Sequence, residues 1–280
     1  MTGPAKSMTI VQPFHVVSPS PGRVNVGLPI HNIGMTRVDD PISTAIAAAP
    51  AQNDDTLLGD SWLLGFDTET TGTKRDDAIV SASLVLRNPD TGFEGDTVAE
   101  WLINPHHRMN PAASKVNGFT DTFLEQNGEE PTQALANIAT AITMAQDKGI
   151  PLLAYNAPFD VRMLSGDLGR WNLQGLPERL LVADPLVIDR EISHRNGKRN
   201  LAHTTEYYGV DPHGDFHDAT ADTIAAVDLI QPMSRLYPQV GALRLGELMD
   251  WQRQAHERWL VSFNQWLVSR GRRSINDTWL

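Results

Sequence analysis

The chain has 280 residues and a net charge of −11, which excludes a protein that coats nucleic acid by bulk electrostatic attraction. It contains no cysteine, which excludes a disulfide framework, thiolate catalysis and thiolate metal sites. An apolar fraction of 41% fills an ordinary core, no apolar run nears the ~20 residues of a membrane span, and no signal-peptide pattern opens the chain, so a soluble cytoplasmic protein is expected.

In chain order, residues 1–57 read as an irregular or disordered N-terminal extension. Seven of the 18 prolines fall there and break any helical period; the short apolar pieces 24–28 and 30–33 are the exceptions that could dock as a strand. A regular pattern begins at Ser61. Strands are predicted over 61–67, 78–87 and 97–104, with a hairpin signal at Asn88-Pro89-Asp90-Thr91-Gly92. A helix is predicted over 131–147, with Pro131 in its first turn. A buried strand at 151–155, a helix at 158–170 and a strand at 180–183 follow, then helices at 199–208 and 219–230. This order predicts an α/β domain over 58–235 with a mixed sheet flanked by helices. Residues 236–280 form a C-terminal helical extension, whose apolar stripe over 242–270 (Leu245, Leu248, Met249, Ala255, Trp259, Phe263, Trp266, Leu267) reads as one face of a long helix packed on the domain or docked on a partner.

Three short motifs carry chemistry. In Gly65-Phe66-Asp67-Thr68-Glu69-Thr70-Thr71-Gly72, the alternation of a strand puts Asp67 and Glu69 on one face. Two ionised carboxylates that close repel unless a cation lies between them, and hard oxygen donors favour Mg²⁺ or Mn²⁺. In Asn156-Ala157-Pro158-Phe159-Asp160, a strand gives way to a helix; Asn156 reads as its cap and Asp160 as either a dipole partner or a ligand. In His217-Asp218-Ala219-Thr220-Ala221-Asp222, Asp218 reads as a helix cap. Asp222 lies inside the helix among alanines that permit close approach.

The order Asp-x-Glu, Asn-x-x-Phe-Asp, His-x₄-Asp resembles the DEDD superfamily of 3′–5′ exonucleases in its histidine-bearing branch, over about residues 61–235. That branch includes the proofreading (epsilon) subunit of bacterial replicases, RNase T and oligoribonuclease. The resemblance implies a ribonuclease-H-like fold and two Mg²⁺ or Mn²⁺ ions held by Asp67, Glu69, Asp160 and Asp222, with Asp67 shared by both. Phosphodiester hydrolysis suits two such ions, which activate water and relieve charge on the attacking and leaving oxygens. His217 is the expected general base. Two rival frames are set aside: in His213-x₄-Asp218 the acid caps the helix, and in Tyr207-x₃-Asp211 Gly209 and Pro212 break the helix that frame needs. Asn117 departs from the histidine that many relatives carry, and still offers an amide to a terminal nucleotide.

Expected substrate contacts are Thr68, Thr70, Asn117, Asn156 and Phe159, with the basic run Arg190–Arg199 read as solvated loop charge or a phosphate track. The expected substrate is a single-stranded or frayed DNA 3′ end, degraded to nucleoside 5′-monophosphates. The alternatives are an RNA or oligoribonucleotide exonuclease and, from another class, a non-catalytic binding or assembly module. Beyond the strand itself, the 242–270 helix is a candidate surface for a polymerase or other protein partner. Arg270, Arg272 and Arg273, just past that helix, are expected to steer the strand electrostatically.

Overall fold

Residues Leu63–Thr70 (β1) form the central strand of a five-stranded mixed sheet of order β3-β2-β1-β4-β5. Ile79–Arg87 (β2) pairs antiparallel with β1 and with Thr97–Leu102 (β3). Leu152–Leu153 (β4) and Val182–Ala183 (β5) extend the other side in parallel. The computed structural model describes residues 41–211 and 218–280. The readings made for residues 1–40, including the apolar pieces 24–28 and 30–33, lie outside them. The sheet and its flanking helices give the ribonuclease-H-like arrangement expected above.

The helices are α1 (Pro41–Ala48), α2 (Pro111–Asn117), α3 (Asp121–Asn127), α4 (Pro131–Asp147), α5 (Pro158–Arg170), α6 (Pro185–Ile192), α7 (Leu201–Tyr208), α8 (Ala219–Asp228), α9 (Ile230–Leu236), α10 (Pro238–Gly241) and α11 (Leu245–Ser269). Alternation along β1 sends its side chains to two cores. Leu64 and Phe66 meet α1, α4 and α5 through Ile42, Ile46, Ile138 and Leu164. Leu63 meets Val227, Ile230, Leu245 and Leu248 on the other side. Helices α2, α3 and α6 were not among the predicted elements, although each start carries a cap. Asn110 accepts from the Ala112 N–H at 2.9 Å, Thr120 from Phe123 at 3.3 Å and Asp184 from Leu186 at 3.0 Å.

Two expected boundaries cut through packed structure. Residues 41–57 are not irregular: Ile42 and Ile46 of α1 are fully buried, and the Leu58 N–H donates to Leu243 O while the Leu245 N–H donates to Thr56 O. The stretch before β1 is thus tied to the start of α11. That helix in turn belongs to the core, because the Gln252 side chain donates to Val182 O at 2.7 Å and accepts from the Asp184 N–H at 2.7 Å. The expectation of a continuous packed stripe along α11 holds only for its first half and Leu267. Trp259 and Phe263 are half-buried, and Trp266 is 47% exposed.

Two arginines of the basic run, Arg195 and Arg199, differ from both of its readings. Asp189, fully buried on α6, is ion-paired with Arg195 and Arg199 and accepts the Tyr208 hydroxyl at 2.9 Å. These two arginines stitch the loop to α6 and α7. A buried carboxylate with this many donors holds its charge without water.

One glycine sets the distance between β1 and α8. A Cβ on Gly65 would lie 2.5 Å from a Val227 methyl and 2.7 Å from a Thr223 methyl. Gly65 shares a strand face with Asp67, so its bare backbone lets α8 approach that face. Thr220 reinforces the contact through a 2.9 Å hydrogen bond to Ser83 on β2.

Gly65→Ala is therefore expected to destabilise the chain by about 1–3 kcal/mol through overpacking, read by denaturant unfolding, with partial recovery when Val227→Ala is added. Ile46→Ala is expected to cost about 2–5 kcal/mol. An Ile46→Ala variant as stable as wild type would mean that α1 is not part of the folded unit.

Candidate active site

Four acidic side chains converge at the end of β1. Asp67, Glu69 and Asp222 each place a carboxylate oxygen within 4.8 Å of the others. Asp67 and Glu69 do so by strand alternation, and Asp222 by the close approach of α8 at Gly65. Asp218 caps α8, accepting from the N–H groups of Thr220 and Ala221 at 3.1 and 3.0 Å, which fixes Asp222 one turn inside. The register of β1 against β2 shifts between Glu69 and Thr70; such irregularities re-aim side chains at strand ends.

Asp160 arrives from α5. Its Oδ1 accepts the Thr68 N–H at 3.1 Å and the Thr68 hydroxyl at 2.7 Å. The hydroxyl expected to face substrate is thus engaged in orienting Asp160. Thr70 likewise turns inward, donating to Gly72 O at 2.6 Å. The loop after β1 is built on Asp77, which accepts from the Thr71 hydroxyl at 3.0 Å and the Lys74 N–H at 2.7 Å. A Cβ on Gly72 would sit 2.4 Å from that carboxylate.

Burial and mutual repulsion act together on these acids. Asp67 is raised well above the usual carboxylate range, first by desolvation and then by Asp160, Asp222 and Glu69. Glu69 is pushed up to about 7 by burial, against a hydrogen bond from Asn117 that lowers it. Asp160 is pushed up to about 7, again chiefly by burial, and its bonds from Thr68 oppose the rise. These three raised acids, together with Asp222, form a hard oxygen donor set whose charge a divalent cation would balance.

Asn117 closes one wall. Its amide donates to Thr70 O at 3.2 Å and bonds Glu69, and with Glu69, Val116 and Phe159 it lines a cavity of about 330 Å³. Asn156 is exposed at the exit of β4 with φ 68°, a left-handed conformation that Asn tolerates better than most residues. Its side chain does not cap α5, contrary to the expectation. Its carbonyl accepts from the Phe159 N–H at 2.9 Å instead, and the capping carboxylate is that of Asp184.

Asp184 was read only as the end of a strand. It is 1% exposed, and its two oxygens accept from the N–H groups of Asn156, Ala157 and Leu186 and from Trp279 Nε1, all at 3.0–3.1 Å. The Asp-Pro pair at 184–185, a cap followed by a first-turn proline, was the legible signal. His217, the expected base, lies outside the described residues, as does His213. Tyr207 sits on α7, which ends at Gly209 in a left-handed cap, so Asp211 is past the helix.

Residues 64–230 match the exonuclease family of the RNase T type. The DNA polymerase III subunit epsilon of Treponema pallidum is 28% identical over 173 residues, covering 60% of this chain and 74% of that one. The PolC-type DNA polymerase III of Streptococcus pyogenes is 26% identical over 157 residues, 55% of this chain but only 10% of that polymerase. Among solved structures, a zinc-bound complex of Escherichia coli exonuclease I with single-stranded DNA superposes with a TM-score of 0.53 at 20% identity, covering 64% of this chain and 42% of that one. A further exonuclease I structure gives a TM-score of 0.53 at 19% identity, covering 69% and 44% of the two chains. The likeness to exonuclease I is one of fold, and this chain spans less than half of that enzyme's length. With the family match extending over more than half of its residues, the chain belongs to the RNase T exonuclease family.

Proposed function

We propose that the chain is a metal-dependent 3′–5′ exonuclease that removes nucleoside 5′-monophosphates from single-stranded or frayed DNA ends. The observation that carries this reading is the convergence of Asp67, Glu69 and Asp222, with Asp160 held beside them by Thr68. Two Mg²⁺ or Mn²⁺ ions suit four such carboxylates; when bound they supply Lewis acidity and an activated water. Asp67, nearest the centre of the cluster, would be among the residues that hold them. Asn117 orients Glu69, Thr68 orients Asp160, and Phe159 and Val116 offer apolar surface for the terminal base. His217 accepts the proton of the attacking water, in line with its place one residue before the cap of α8. The full set of acids weighs against a purely non-catalytic assembly module. The match to a polymerase III epsilon subunit supports association with a polymerase, and exonuclease I bound to single-stranded DNA supports the strand as substrate. No described helix is long and apolar enough to cross a membrane.

The deciding experiment incubates the purified chain with end-labelled single-stranded DNA and RNA of equal sequence, with Mg²⁺, with Mn²⁺ and with EDTA. Stepwise loss of 3′ nucleotides from DNA, abolished by EDTA, is expected; preferential digestion of RNA would transfer the assignment to the ribonuclease members. Asp67→Asn is expected to remove nearly all of this activity. His217→Ala is expected to slow cleavage by about 10²–10⁴-fold with metal binding retained. If His213→Ala were instead the damaging change, the base would be misassigned.

The raised acids make a thermodynamic prediction as well. Folded values of about 7 for Glu69 and Asp160 lie above the ordinary values near ~4. Their contribution to stability is therefore full below pH ~4 and lost as pH rises through about 7. Metal-free protein should melt lower at pH 8 than at pH 5.5, and Mn²⁺ should raise the melting temperature more at pH 8, where protons no longer compete. Asp67→Asn should stabilise the metal-free chain at pH 8 and shrink the Mn²⁺ shift. Equal Mn²⁺ shifts at both pH values would refute ligation by these acids.

A further inference from the structure

Phe159 is shared by two cavities. One is the pocket with Glu69 and Asn117; the other, of about 180 Å³, lies between the first turn of α5, α6, α11 and the tail, and is lined by Arg162, Arg190 and His256. In a chain with 34 acids and 23 basic residues, the side chains of Arg162 and Arg190 make no hydrogen bond or ion pair among the described residues. They lie over aromatic rings instead, Arg162 5.8 Å from the centroid of Phe159 and Arg190 3.6 Å from that of Trp259. His256 is 5% exposed, and neither ring nitrogen makes a well-formed hydrogen bond, the backbone of Asp277 offering only a marginal one. The nearest acid, Asp277, is 3.7 Å from Nε2, and a buried polar group left in this state points to a missing ligand. The other acid in the wall, Asp184, has its oxygens occupied by four N–H donors.

From this cavity a column of rings runs outward along α11. The rings of His256 and Trp259 are 5.3 Å apart, Trp259 and Phe263 5.0 Å at 14°, and Phe263 and Trp266 5.7 Å at 17°, with Trp266 ending the column half in solvent. From His256 to Trp266 a helix rises about 15 Å. Cations beside stacked aromatic rings are the means by which single strands are held without reading sequence.

We propose that the nucleic-acid strand, having placed its terminal nucleotide beside the carboxylates, passes over Phe159 into this cavity and continues along α11. Arg162, Arg190 and the N–H of His256 take a backbone phosphate, and an upstream base stacks on Trp266. The column of rings lies on α11, beyond the end of the family match at residue 230, while Arg162 and Arg190 lie within it, and the inference rests on the exonuclease reading of the carboxylates. The occupant is a single strand because the same surface pairs guanidinium groups free of ion pairs with stacked rings and shares Phe159 with the catalytic cavity.

The test measures binding of fluorescein-labelled oligothymidylates, a dinucleotide and a decanucleotide, to the full chain in EDTA, where no cleavage intervenes. The wild type should bind the decanucleotide more tightly than the dinucleotide. Arg162→Gln and Arg190→Gln should each weaken decanucleotide binding about 10-fold and flatten its salt dependence by roughly 0.7 per lost phosphate contact. Trp266→Ala, at an exposed position, should cost about 5- to 100-fold. Asp277→Asn, which removes the acid that competes for His256, should tighten binding a few-fold, a gain that loss of folding cannot mimic. Equal wild-type affinity for both lengths, or decanucleotide binding and salt slopes unchanged in all four variants, would overturn the proposal. The end-labelled digestion assay reports separately on the exonuclease reading, which survives that outcome.

Discussion

The fold works against the repulsion between buried carboxylates. Asp67, Glu69 and Asp222 lie within 4.8 Å of one another, with Asp160 close enough to rank first among the charges acting on Asp67. Left to themselves, such groups would move apart or take up protons. They are held by features remote from the chemistry: the bare backbone of Gly65, which admits α8; the cap at Asp218, which sets the phase of Asp222; and Thr68, whose two donors fix Asp160. Two of them act on Asp222 and the third on Asp160, so the cluster is only as precise as the packing of β1 against α5 and α8.

Asp184 supplies the second level of support. Its four accepted hydrogen bonds join the exit of β4, the start of α6 and the tail at Trp279, while Gln252 of α11 holds its backbone N–H. Burial raises this carboxyl and the donors oppose the rise. The first turn of α5, which carries Phe159 and Asp160, is therefore anchored by α11 and the tail as much as by the sheet. This explains why a boundary near residue 235 does not divide the packing.

The strands along the chain, the long helices α4, α5 and α11 and the three acidic motifs were legible in the sequence because each rests on local chemistry: alternation along β1, a first-turn proline, a cap four residues before Asp222. What was hidden depends on distant partners. Nothing local distinguishes Arg195 and Arg199, which pair with buried Asp189, from a solvated basic loop. Thr68 could be read as facing substrate until Asp160, 92 residues away, was seen to take its hydroxyl. Helix α1 was concealed by its setting after a proline-rich stretch, although Ile42 and Ile46 have the spacing of one buried face. The α6 start was missed although its Asp-Pro signal was present.

The acids also come from parts of the chain far apart in sequence. Asp67 and Asp222 are separated by 155 positions (222 − 67 = 155), so a divalent ion held between them would act as a reversible cross-link, closing a long loop as a disulfide would in a chain that has no cysteine. Such a link penalises partial openings that peel α8 away from β1 and leaves the fraying of distant helices untouched. Hydrogen exchange along α8 would then track divalent-ion concentration, while exchange in α3, on the far side of the α2–α3 loop, would not.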